Sequence, residues 1–430
     1  MLNKSRVETF FSSRAHRDSR PSKELQVRFR VRAFFDDELS EEPIELFRGH
    51  RAQPAWREPD AAFHLEAAAV EAGAFLQTQL GSTGQFIYNY RPKTDREDSD
   101  YNILRHAGTT YALFELARLT GDARWRAAGE SALAYLRRQF RACPFDGEAI
   151  CVVEAGEIKL GGSGLAILAL LEHPDIRART DLLTDAQNLA MGILGLLQDD
   201  GRFWPHKLSF PDGKADDHVS VYYPGEAIYA LARLSARDGE ERWLNAAVSA
   251  ASYLIEGRDA DLADDQLPHD HWLAYGLREI QTLRGGLPEH WVTYLLRMIG
   301  AIAAAQNRSA QALPFADWHG GFYQPPRSAP TSTRVEGLVA AIDVLGAADL
   351  AVPKAVTRAT CDATDFLLTT AFEPGGGLFL KRPGRVLGAF RRSLTAYQTR
   401  IDTSQHAMSA LLGVARLTRS THLQCQPAPA

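Results

Sequence analysis

Carboxyl and imidazole side chains recur in short clusters that lie far apart in the sequence. Asp402 and His406 are four residues apart, so they share one face of any helix that contains them. Paired carboxyl groups can act as general acid and general base, and a histidine can move a proton near neutral pH. On residue type and local context, the catalytic candidates are Glu226, Asp402, His406, Glu336, Asp100, His106 and His271.

Arginines and aromatic residues accompany these groups. Guanidinium groups bind carboxylates through paired hydrogen bonds, which favours an anionic substrate such as a uronate. Flat aromatic rings offer apolar faces on which the C–H faces of a sugar can pack. The candidates for substrate binding are Arg105, Arg334, Arg400, Tyr222, Tyr223, Trp204 and Trp272. A structural role is the alternative for each: Arg334 could pair with Asp402, and His106 or His406 could be a core histidine with satisfied hydrogen bonds.

Other chemistries have weak signals. The sequence contains no His-Glu-x-x-His, no glycine-rich phosphate loop and no dinucleotide fingerprint. His269-Asp270-His271 has metal-ligand residue types, but their consecutive spacing suits a loop better than a helix. We therefore predict no metal and no cofactor, with a small saccharide as the partner.

The composition is that of a water-soluble globular chain. Of its 430 residues 45% are hydrophobic and 23% are charged, and the net charge is -5, so neither nucleic acid nor a membrane surface is predicted as a partner. The first residues lack the apolar stretch of a signal peptide. The four cysteines are too few and too scattered for a disulfide framework, so we expect free buried thiols and a cytoplasmic location. A bond between Cys143 and Cys151, which flank a short segment, is the alternative. The oligomeric state stays open.

A long-period repeat indicates how these residues are positioned. Glycine-containing turns precede Phe86, Phe203, Phe322 and Phe379, which are separated by 117, 119 and 57 residues. Phe145 falls 59 residues after Phe86 and fills one gap. A spacing of about 58–59 residues, or twice that, indicates that one supersecondary unit is used about six times.

Helix-pair signals fill each period. First helices, rich in small and apolar residues, are predicted over Tyr101–Leu119, Ser163–Leu171, Pro224–Leu234, His271–Leu283, Arg334–Leu345 and Asp402–Leu417. Amphipathic return helices are predicted over Ala123–Phe140, Leu182–Gln198, Glu241–Glu256, Pro288–Gln306, Pro353–Ala371 and, at the other end of the chain, Ala61–Leu80. The six first helices and six return helices form six pairs only if the two ends of the helical array lie next to each other. The prediction is an all-α (α/α)6 toroid, with short β-hairpins in long loops that gather at the N-terminal ends of the inner helices.

The domain prediction has three parts. Residues 1–58 form an N-terminal extension, 59–420 the toroid and 421–430 a tail. The alternation in Leu25-Gln-Val-Arg-Phe-Arg-Val-Arg is typical of a half-buried strand packed on the main domain. Its basic residues leave a nucleic-acid-binding arm as the alternative.

Three inner-helix segments resemble the six-hairpin glycosidase superfamily: Tyr223-Pro-Gly-Glu-Ala-Ile-Tyr-Ala-Leu-Ala-Arg-Leu, Thr333-Arg-Val-Glu-Gly-Leu and Arg400-Ile-Asp-Thr-Ser-Gln-His-Ala. The resemblance covers roughly residues 60–420 and implies a carbohydrate-active enzyme. Pro224-Gly225-Glu226 is similar in placement to a Pro-Gly-His turn of the sugar 2-epimerases in this group, with Glu226 in place of the histidine. Gly161-Gly-Ser-Gly-Leu is faintly similar to lanthionine-cyclase-like toroids, but the Cys-His pair of their zinc site is absent from the sequence.

Three functions follow from these residues. The leading prediction is glycoside hydrolysis of a sugar or uronate-like saccharide by general acid/base chemistry in the central funnel. The first alternative is a sugar epimerase or lyase that uses His106, His271 or His406 as a base. The second is a non-catalytic or peptide-modifying toroid that binds a peptide or a carrier. Two carboxyl groups facing across an open pocket would favour hydrolysis, and two flanking histidines would favour epimerisation.

Overall fold

The structure is a computed structural model that describes residues 33–35, 44–46, 61–308, 313–373, 377 and 379–425. The inner helices within these ranges are α2 (Ile103–Thr120), α4 (Leu160–Glu172), α6 (Tyr223–Asp238), α8 (His271–Arg284), α10 (Ser328–Ala347) and α12 (Ile401–Arg419). The outer helices are α1 (Ala61–Thr78), α3 (Ala123–Arg137), α5 (Thr180–Leu194), α7 (Glu241–Ser252), α9 (Glu289–Ala305) and α11 (Lys354–Thr370).

The inner helices form a closed ring. Each packs against the next around the circle, and α12 packs against both α2 and α1. Every residue of α4 is buried, whereas α3 and α7 bury one face only. This difference follows from their sequences, because α4 is almost wholly apolar and the outer helices carry charges on one side. The (α/α)6 prediction is confirmed, including the closure of the ring by the two ends of the array.

The glycine–phenylalanine repeat has a steric cause. Gly84, Gly201, Gly320 and Gly388 all have positive φ, and a Cβ at any of them would collide with a backbone carbonyl of an outer helix. The phenylalanine two residues later is buried in each case, as Phe86, Phe203, Phe322 and Phe390. The last member of the repeat is therefore Phe390. Phe379 and Phe145 are exposed, so assigning them to the repeat was wrong.

Short antiparallel sheets lie in the loops before the inner helices. Strands β5 (Phe140–Cys143), β6 (Asp146–Glu154), β7 (Glu157–Lys159) and β8 (Lys207–Ser209) pair in sequence order. Ala155 and Gly156 form the β6–β7 turn, so the β-hairpins predicted for the long loops are confirmed here. A second sheet has the order β4 (Arg96–Glu97), β3 (Asn89–Arg91) and β9 (Thr399–Arg400), and so connects the loop before α2 to the start of α12.

The cysteine prediction was wrong for this structure. Cys143 pairs with Cys151 across the β5–β6 hairpin, with 5.3 Å between their Cα atoms. Cys361 on α11 pairs with Cys425 after α12, with 5.7 Å between the Cα atoms. The second pair is not recognisable in the sequence, because Cys361 and Cys425 are 64 residues apart. They become neighbours only when the ring of helices closes.

Two further findings concern the chain as a whole. None of the described helices is long and apolar enough to cross a membrane. Strands β1 (Ala33–Phe35) and β2 (Ile44–Leu46) pair as a hairpin, while the predicted strand over 25–32 lies outside the described residues. The domain boundaries at 58 and 420 stay predictions.

Charged residues close the ring at the C-terminal ends of the inner helices, which we call the floor. Glu172 accepts hydrogen bonds from Arg118 Nε at 2.7 Å and from Arg233 at 2.9 Å. Asp343 accepts from Arg278 at 3.1 Å and from Arg416 at 2.6 Å. Each floor carboxylate is therefore shared by two arginines from neighbouring inner helices.

Candidate active-site cavity

A cavity of about 370 Å³ opens at the opposite end of the ring, which we call the mouth. Its walls come from the first turns of the inner helices and the loops before them. All six inner helices contribute, through Arg105, Leu165, Glu226, His271, Arg334 and His406 among others. Because side chains from six helices converge on one space, residues that are far apart in sequence become neighbours there.

Two imidazoles lie side by side in this cavity. The ring centroids of His271 and His406 are 5.4 Å apart, and the ring planes are nearly perpendicular. His271 is buried, and neither of its ring nitrogens has a hydrogen-bond partner among the described residues. Burial, together with the nearby His406 and Arg334, holds the pKa of His271 well below its ordinary value. His271 is therefore a neutral imidazole with an available lone pair at neutral pH.

His406 is oriented by a buried carboxyl group. Its Nδ1 lies 2.8 Å from Oε2 of Glu336, and the hydroxyl of Tyr275 donates to Oε1 of the same group at 3.4 Å. Burial raises the pKa of Glu336, and the contacts with His406 and Tyr275 oppose that effect. With Nδ1 engaged by Glu336, Nε2 is the nitrogen of His406 left for a ligand in the cavity.

Asp402 is held by two guanidinium groups at the start of α12. Arg400 Nε donates to Oδ1 at 2.5 Å, and Arg105 Nε donates to Oδ2 at 2.7 Å. Burial alone would raise the pKa of Asp402, but Arg400 and Arg105 hold it below its ordinary value. Asp402 is thus an ionised carboxylate whose two oxygens are both occupied.

Glu226 and Asp270 form a second acidic region, in which the pKa values are raised, whereas that of Asp402 is lowered. Oε2 of Glu226 and Oδ2 of Asp270 are buried without hydrogen-bond partners among the described residues. Burial raises the pKa of Glu226 to about 8 and that of Asp270 to about 7, and the Asp270 charge adds to the Glu226 shift. Glycines make room for both carboxyl groups, because a Cβ at Gly161 would collide with Glu226 and one at Gly225 would lie 2.7 Å from Oδ2 of Asp270. Glu226 is therefore predominantly a protonated acid at neutral pH.

The structure brings most of the predicted site residues together. Tyr222, Tyr223 and Trp272 line the cavity along with Glu226, His271, His406, Asp402, Arg105, Arg334 and Arg400. Glu336 lies behind His406. The pairing of Arg334 with Asp402 does not occur; Arg334 donates instead to the carbonyl of Pro330 at 2.9 Å and to the Tyr323 hydroxyl at 3.1 Å.

Three predicted residues do not reach the cavity. Asp100 is exposed in the loop before α2. His106 faces α3, where its ring nitrogens contact the hydroxyl of Tyr101 at 2.6 Å and the carbonyl of Ala132 at 2.8 Å. Trp204 packs near His206, at 6.3 Å between ring centroids, and so lies behind the wall formed by Tyr223.

Sequence reasoning missed several residues of the mouth as site candidates, namely Arg327, Arg392, Tyr323 and Asp270. Arg327 and Arg392 lie outside the predicted starts of the inner helices. Asp270 caps α8 by accepting the backbone N–H groups of Trp272 and Leu273 at 3.0 and 3.2 Å. An aspartate one residue before a helix is a recognisable N-cap signal, but nothing in that signal indicates a perturbed carboxyl group.

One group of residues has the ligand types of a metal site. Single ligand atoms of His271, Glu336 and His406 all lie within 4.8 Å of one another. Two imidazoles and one carboxylate are a set that Zn²⁺ accepts. Nδ1 of His406 already contacts Glu336, so a metal would take Nε2 and would have to draw the three side chains together.

Solved structures that are similar to this chain share its fold along nearly their whole length. A D-mannose isomerase has a TM-score of 0.60 and 14% identity, covering 85% of this chain and 100% of the other. A cellobiose 2-epimerase from Bacillus thermoamylovorans has a TM-score of 0.64 and 8% identity, covering 82% and 99%. An unsaturated glucuronyl hydrolase specific for heparin has a TM-score of 0.56 and 12% identity, covering 84% and 98%.

These likenesses establish the fold. All three proteins are members of the six-hairpin glycosidase superfamily, so the architecture expected from the inner-helix segments is confirmed. No protein-family model and no curated protein matches the sequence. Assignment of chemistry therefore depends on the residues of the cavity.

Proposed function

We propose that this chain is a sugar isomerase or 2-epimerase that moves a proton at the carbon next to a sugar carbonyl. One observation carries the proposal: His271 and His406 lie side by side in the cavity, both ring nitrogens of His271 lack hydrogen-bond partners among the described residues, and Nε2 of His406 is left for a ligand. Histidine is suited to this task because its ordinary pKa lies near neutral pH. Sugar isomerisation and sugar epimerisation are also what the names of two of the similar structures state for those proteins.

The chemistry follows from the two imidazoles. One neutral imidazole removes the C2 proton of an open-chain aldose, and the C2 electron pair forms an enediolate with the carbonyl. Return of a proton to C1, together with transfer of the O2 hydroxyl proton to O1, gives the ketose, and return of a proton to the opposite face of C2 gives the epimer. The second histidine, once protonated, is the donor that epimerisation requires.

Neighbouring groups suit the negative charge that develops on the carbonyl oxygen. Arg105 is fixed through its Nε by Asp402, and its guanidinium lines the cavity. Glu226, held protonated by burial, offers an O–H donor from the same wall. Fixed donors of this kind stabilise an oxyanion more strongly in a water-excluded site than in bulk water.

Glycoside hydrolysis is the second candidate, because Glu226 and Asp402 have the unequal acidities of an acid–base pair. Against it, three hydrogen bonds from guanidinium groups engage the two oxygens of Asp402, and the same groups hold its pKa below the ordinary value, so it is a weak base for activating water. The two histidines have no such obstacle. Isomerisation therefore takes first place over the hydrolysis predicted from the sequence.

The test is proton exchange in D₂O followed by ¹H NMR. Glucose, mannose, cellobiose, glucuronate and mannose 6-phosphate are incubated with the protein, and the C2–H signal is followed together with the appearance of a ketose or an epimer. We expect loss of the C2–H signal at the rate of product formation for one class of sugar. The His271→Asn and His406→Gln variants lose this exchange.

The control is His106→Gln, which changes a histidine that does not reach the cavity. Exchange that survives in both cavity variants, or that is lost equally in the control, would overturn the assignment. Cleavage of glycosides without C2 exchange, abolished by Glu226→Gln, would establish the hydrolase instead.

A cytoplasmic location and a saccharide partner complete the proposal. The two disulfides weigh against the location, because disulfides persist mainly in oxidising compartments. Counting free thiols in protein isolated from cells under thiol-blocking conditions decides the matter. Four blocked thiols fit the cytoplasm, and none fits an oxidising compartment.

A further inference from the structure

The mouth carries more positive charge than its own carboxyl groups neutralise. Five arginines line the cavity: Arg105, Arg327, Arg334, Arg392 and Arg400. Arg105 and Arg400 share Asp402, which accounts for the one ionised carboxylate of the lining. Glu226, the other lining carboxyl group, is predominantly protonated at neutral pH. The remaining three arginines have no ion-pair partner among the described residues.

Arg334 is the most informative of the three. It is only 7% exposed, and its Nε is buried without a hydrogen-bond partner among the described residues. The two groups that accept hydrogen bonds from Arg334, the Pro330 carbonyl and the Tyr323 hydroxyl, are uncharged. A buried guanidinium without a counter-anion is costly unless something else supplies the charge.

Tyr323 holds this arginine in place. Its ring lies 5.0 Å from the Arg334 guanidinium and 6.0 Å from that of Arg327. The backbone of Tyr323 has a φ of 71°, a strained conformation for a tyrosine, and Asn307 donates to its carbonyl at 2.7 Å. The surrounding structure therefore maintains a strained residue whose ring contacts both guanidinium groups.

The other two arginines complete a cluster beside the start of α10. Arg327 and Arg392 are exposed, and both line the cavity. Arg327 immediately precedes α10, and Ala329 and Pro330 from its first turn also line the cavity. The positive end of the helix dipole thus adds to the charge of the three guanidinium groups.

The positive charge of Arg334 lowers the pKa of neighbouring histidines. Burial and the Arg334 charge together lower the pKa of His269 to about 4. The same charge is one cause of the low pKa of His271. An arginine neutralised by a carboxylate would have a much weaker effect on these rings.

We infer that Arg327, Arg334 and Arg392 form an anion subsite, and that the natural substrate is a sugar bearing a phosphate or carboxylate group. This inference rests on the proposed function for the sugar and on the arginine cluster for the anion. It also changes the earlier expectation for Arg105 and Arg400, since these two are already engaged by Asp402. The anion is bound at the α10 side of the cavity, and the reacting carbon lies near the two histidines.

Calorimetric titration tests the subsite without requiring turnover. The probes are mannose, mannose 6-phosphate, glucuronate and inorganic phosphate, each titrated into the full chain. We expect at least one charged sugar to bind at least tenfold more tightly than mannose, with an affinity that falls as salt is raised. The comparison of phosphate with carboxylate identifies which anion the cluster prefers. Equal affinity for neutral and charged sugars would overturn the inference.

Arginine variants locate the subsite. Arg334→Met and Arg392→Met should weaken binding of the preferred charged sugar about 10- to 100-fold, as expected for the loss of a charge-assisted hydrogen bond, and leave binding of mannose unchanged. Arg392 is exposed, so its variant folds even if loss of the buried Arg334 perturbs the loop. The matched control is Arg358→Met, an exposed arginine on α11. Equal weakening of charged and neutral sugars in the two cavity variants would contradict the subsite.

The two proposals fail in different ways. His406→Gln should abolish C2 proton exchange and retain tight binding of the charged sugar, because His406 lies outside the arginine cluster. Binding of the charged sugar without any proton exchange in the unmodified protein would refute the isomerase and leave the subsite intact. Proton exchange with mannose as efficient as with every charged sugar would refute the subsite and leave the isomerase intact.

Discussion

The mouth and the floor of the ring use the same residue types in opposite ways. At the floor, Glu172 and Asp343 each accept hydrogen bonds from two arginines, so acidic and basic groups satisfy one another. At the mouth, His271, Glu226 and Arg334 each keep at least one buried nitrogen or oxygen without a partner among the described residues. Charged residues thus join inner helices at one end and remain available to a ligand at the other.

Chain direction explains this division. All long loops precede inner helices, so they gather at the mouth, where they can shape a cavity and supply additional side chains such as Tyr323. Short turns follow the inner helices, and the floor has only its own helix ends with which to close the ring. Unpaired buried polar groups are costly, and we propose that a ligand satisfies those of the mouth. The comparison predicts that mouth variants lose activity and floor variants lose stability.

The largest expected effect is on catalysis. His271→Asn and His406→Gln should each lower the turnover number for C2 proton exchange by about 10²- to 10⁴-fold, the usual contribution of general acid–base catalysis. His271 has no hydrogen bond to lose among the described residues, so the midpoint of thermal unfolding of its variant should not fall. Stopped-time NMR assays and calorimetric melting measure the two quantities. If the His271 variant unfolded at a lower temperature and its activity fell only by the fraction of protein unfolded, His271 would have a structural role like that of the floor residues.

The second effect is on stability. Glu172→Gln removes the only carboxylate that Arg118 and Arg233 share at the floor within the described structure. Loss of a buried partner costs about 3–5 kcal/mol when all groups are buried, and because Arg118 is largely exposed we expect about 1–3 kcal/mol here. Urea unfolding gives the free energy, and the turnover number should remain within about twofold.

A matched control separates the floor from general surface effects. Glu148→Gln makes the same chemical change at an exposed position of β6 and should alter the free energy of unfolding by less than about 0.5 kcal/mol. Equal losses in the two variants, or a large loss of turnover in Glu172→Gln, would remove the distinction between floor and mouth.

The fold was predictable from the sequence because its signals repeat. Helix pairs recur along the chain, and the glycines of four loops, Gly84, Gly201, Gly320 and Gly388, are each required by a carbonyl of a neighbouring outer helix. The repeat failed at Phe379, because glycine followed by phenylalanine can occur in any loop, and only contact with α1 identifies Gly388 and Phe390 as the true members.

The site was only partly predictable, as His106 and His406 show. Both lie in the first turns of inner helices among polar residues, and their local sequences are equally suggestive. His106 turns outward and is satisfied by Tyr101 and Ala132, whereas His406 turns inward to Glu336. The direction of a side chain around its helix depends on how the helix is rotated in the ring, and tertiary packing determines that rotation.

The third effect concerns pH. Burial raises the pKa of Glu226 to about 8, whereas an unfolded glutamate has a pKa of about 4.3. Between these values the folded chain binds the proton more strongly than the unfolded chain, so this group's contribution to stability is fully present below about pH 4.3 and declines until about pH 8. Glu226→Gln stays neutral throughout. Its free energy of unfolding should match that of the unmodified protein near pH 4 and exceed it by about 4–5 kcal/mol at pH 8.

Urea unfolding at a series of pH values measures this difference. Asp270 has a pKa raised to about 7 by burial, so part of the pH dependence persists in the Glu226 variant. Glu148→Gln again serves as the control and should show no pH-dependent gain. A constant difference between Glu226→Gln and the unmodified protein from pH 4 to pH 8 would mean that Glu226 is ionised in the fold, and the mouth would then resemble the floor.

The smallest effect is expected at Asp100, which lies in the loop before α2 but outside the cavity. Its carboxylate is exposed, so Asp100→Asn should change the free energy of unfolding by less than about 0.5 kcal/mol. Charges exposed to water are screened beyond about 8 Å at physiological ionic strength, so KM for a charged sugar should change by less than about twofold. Repeating the measurement at low salt is the sharper test, because any long-range effect of this charge on an anionic substrate then increases and has a known sign. Removal of a negative charge can only favour the anion, so KM at low salt should fall slightly or stay constant. A rise in KM, or a tenfold loss of turnover, would show that this loop belongs to the functional mouth, and the boundary of the mouth would have to be moved outward.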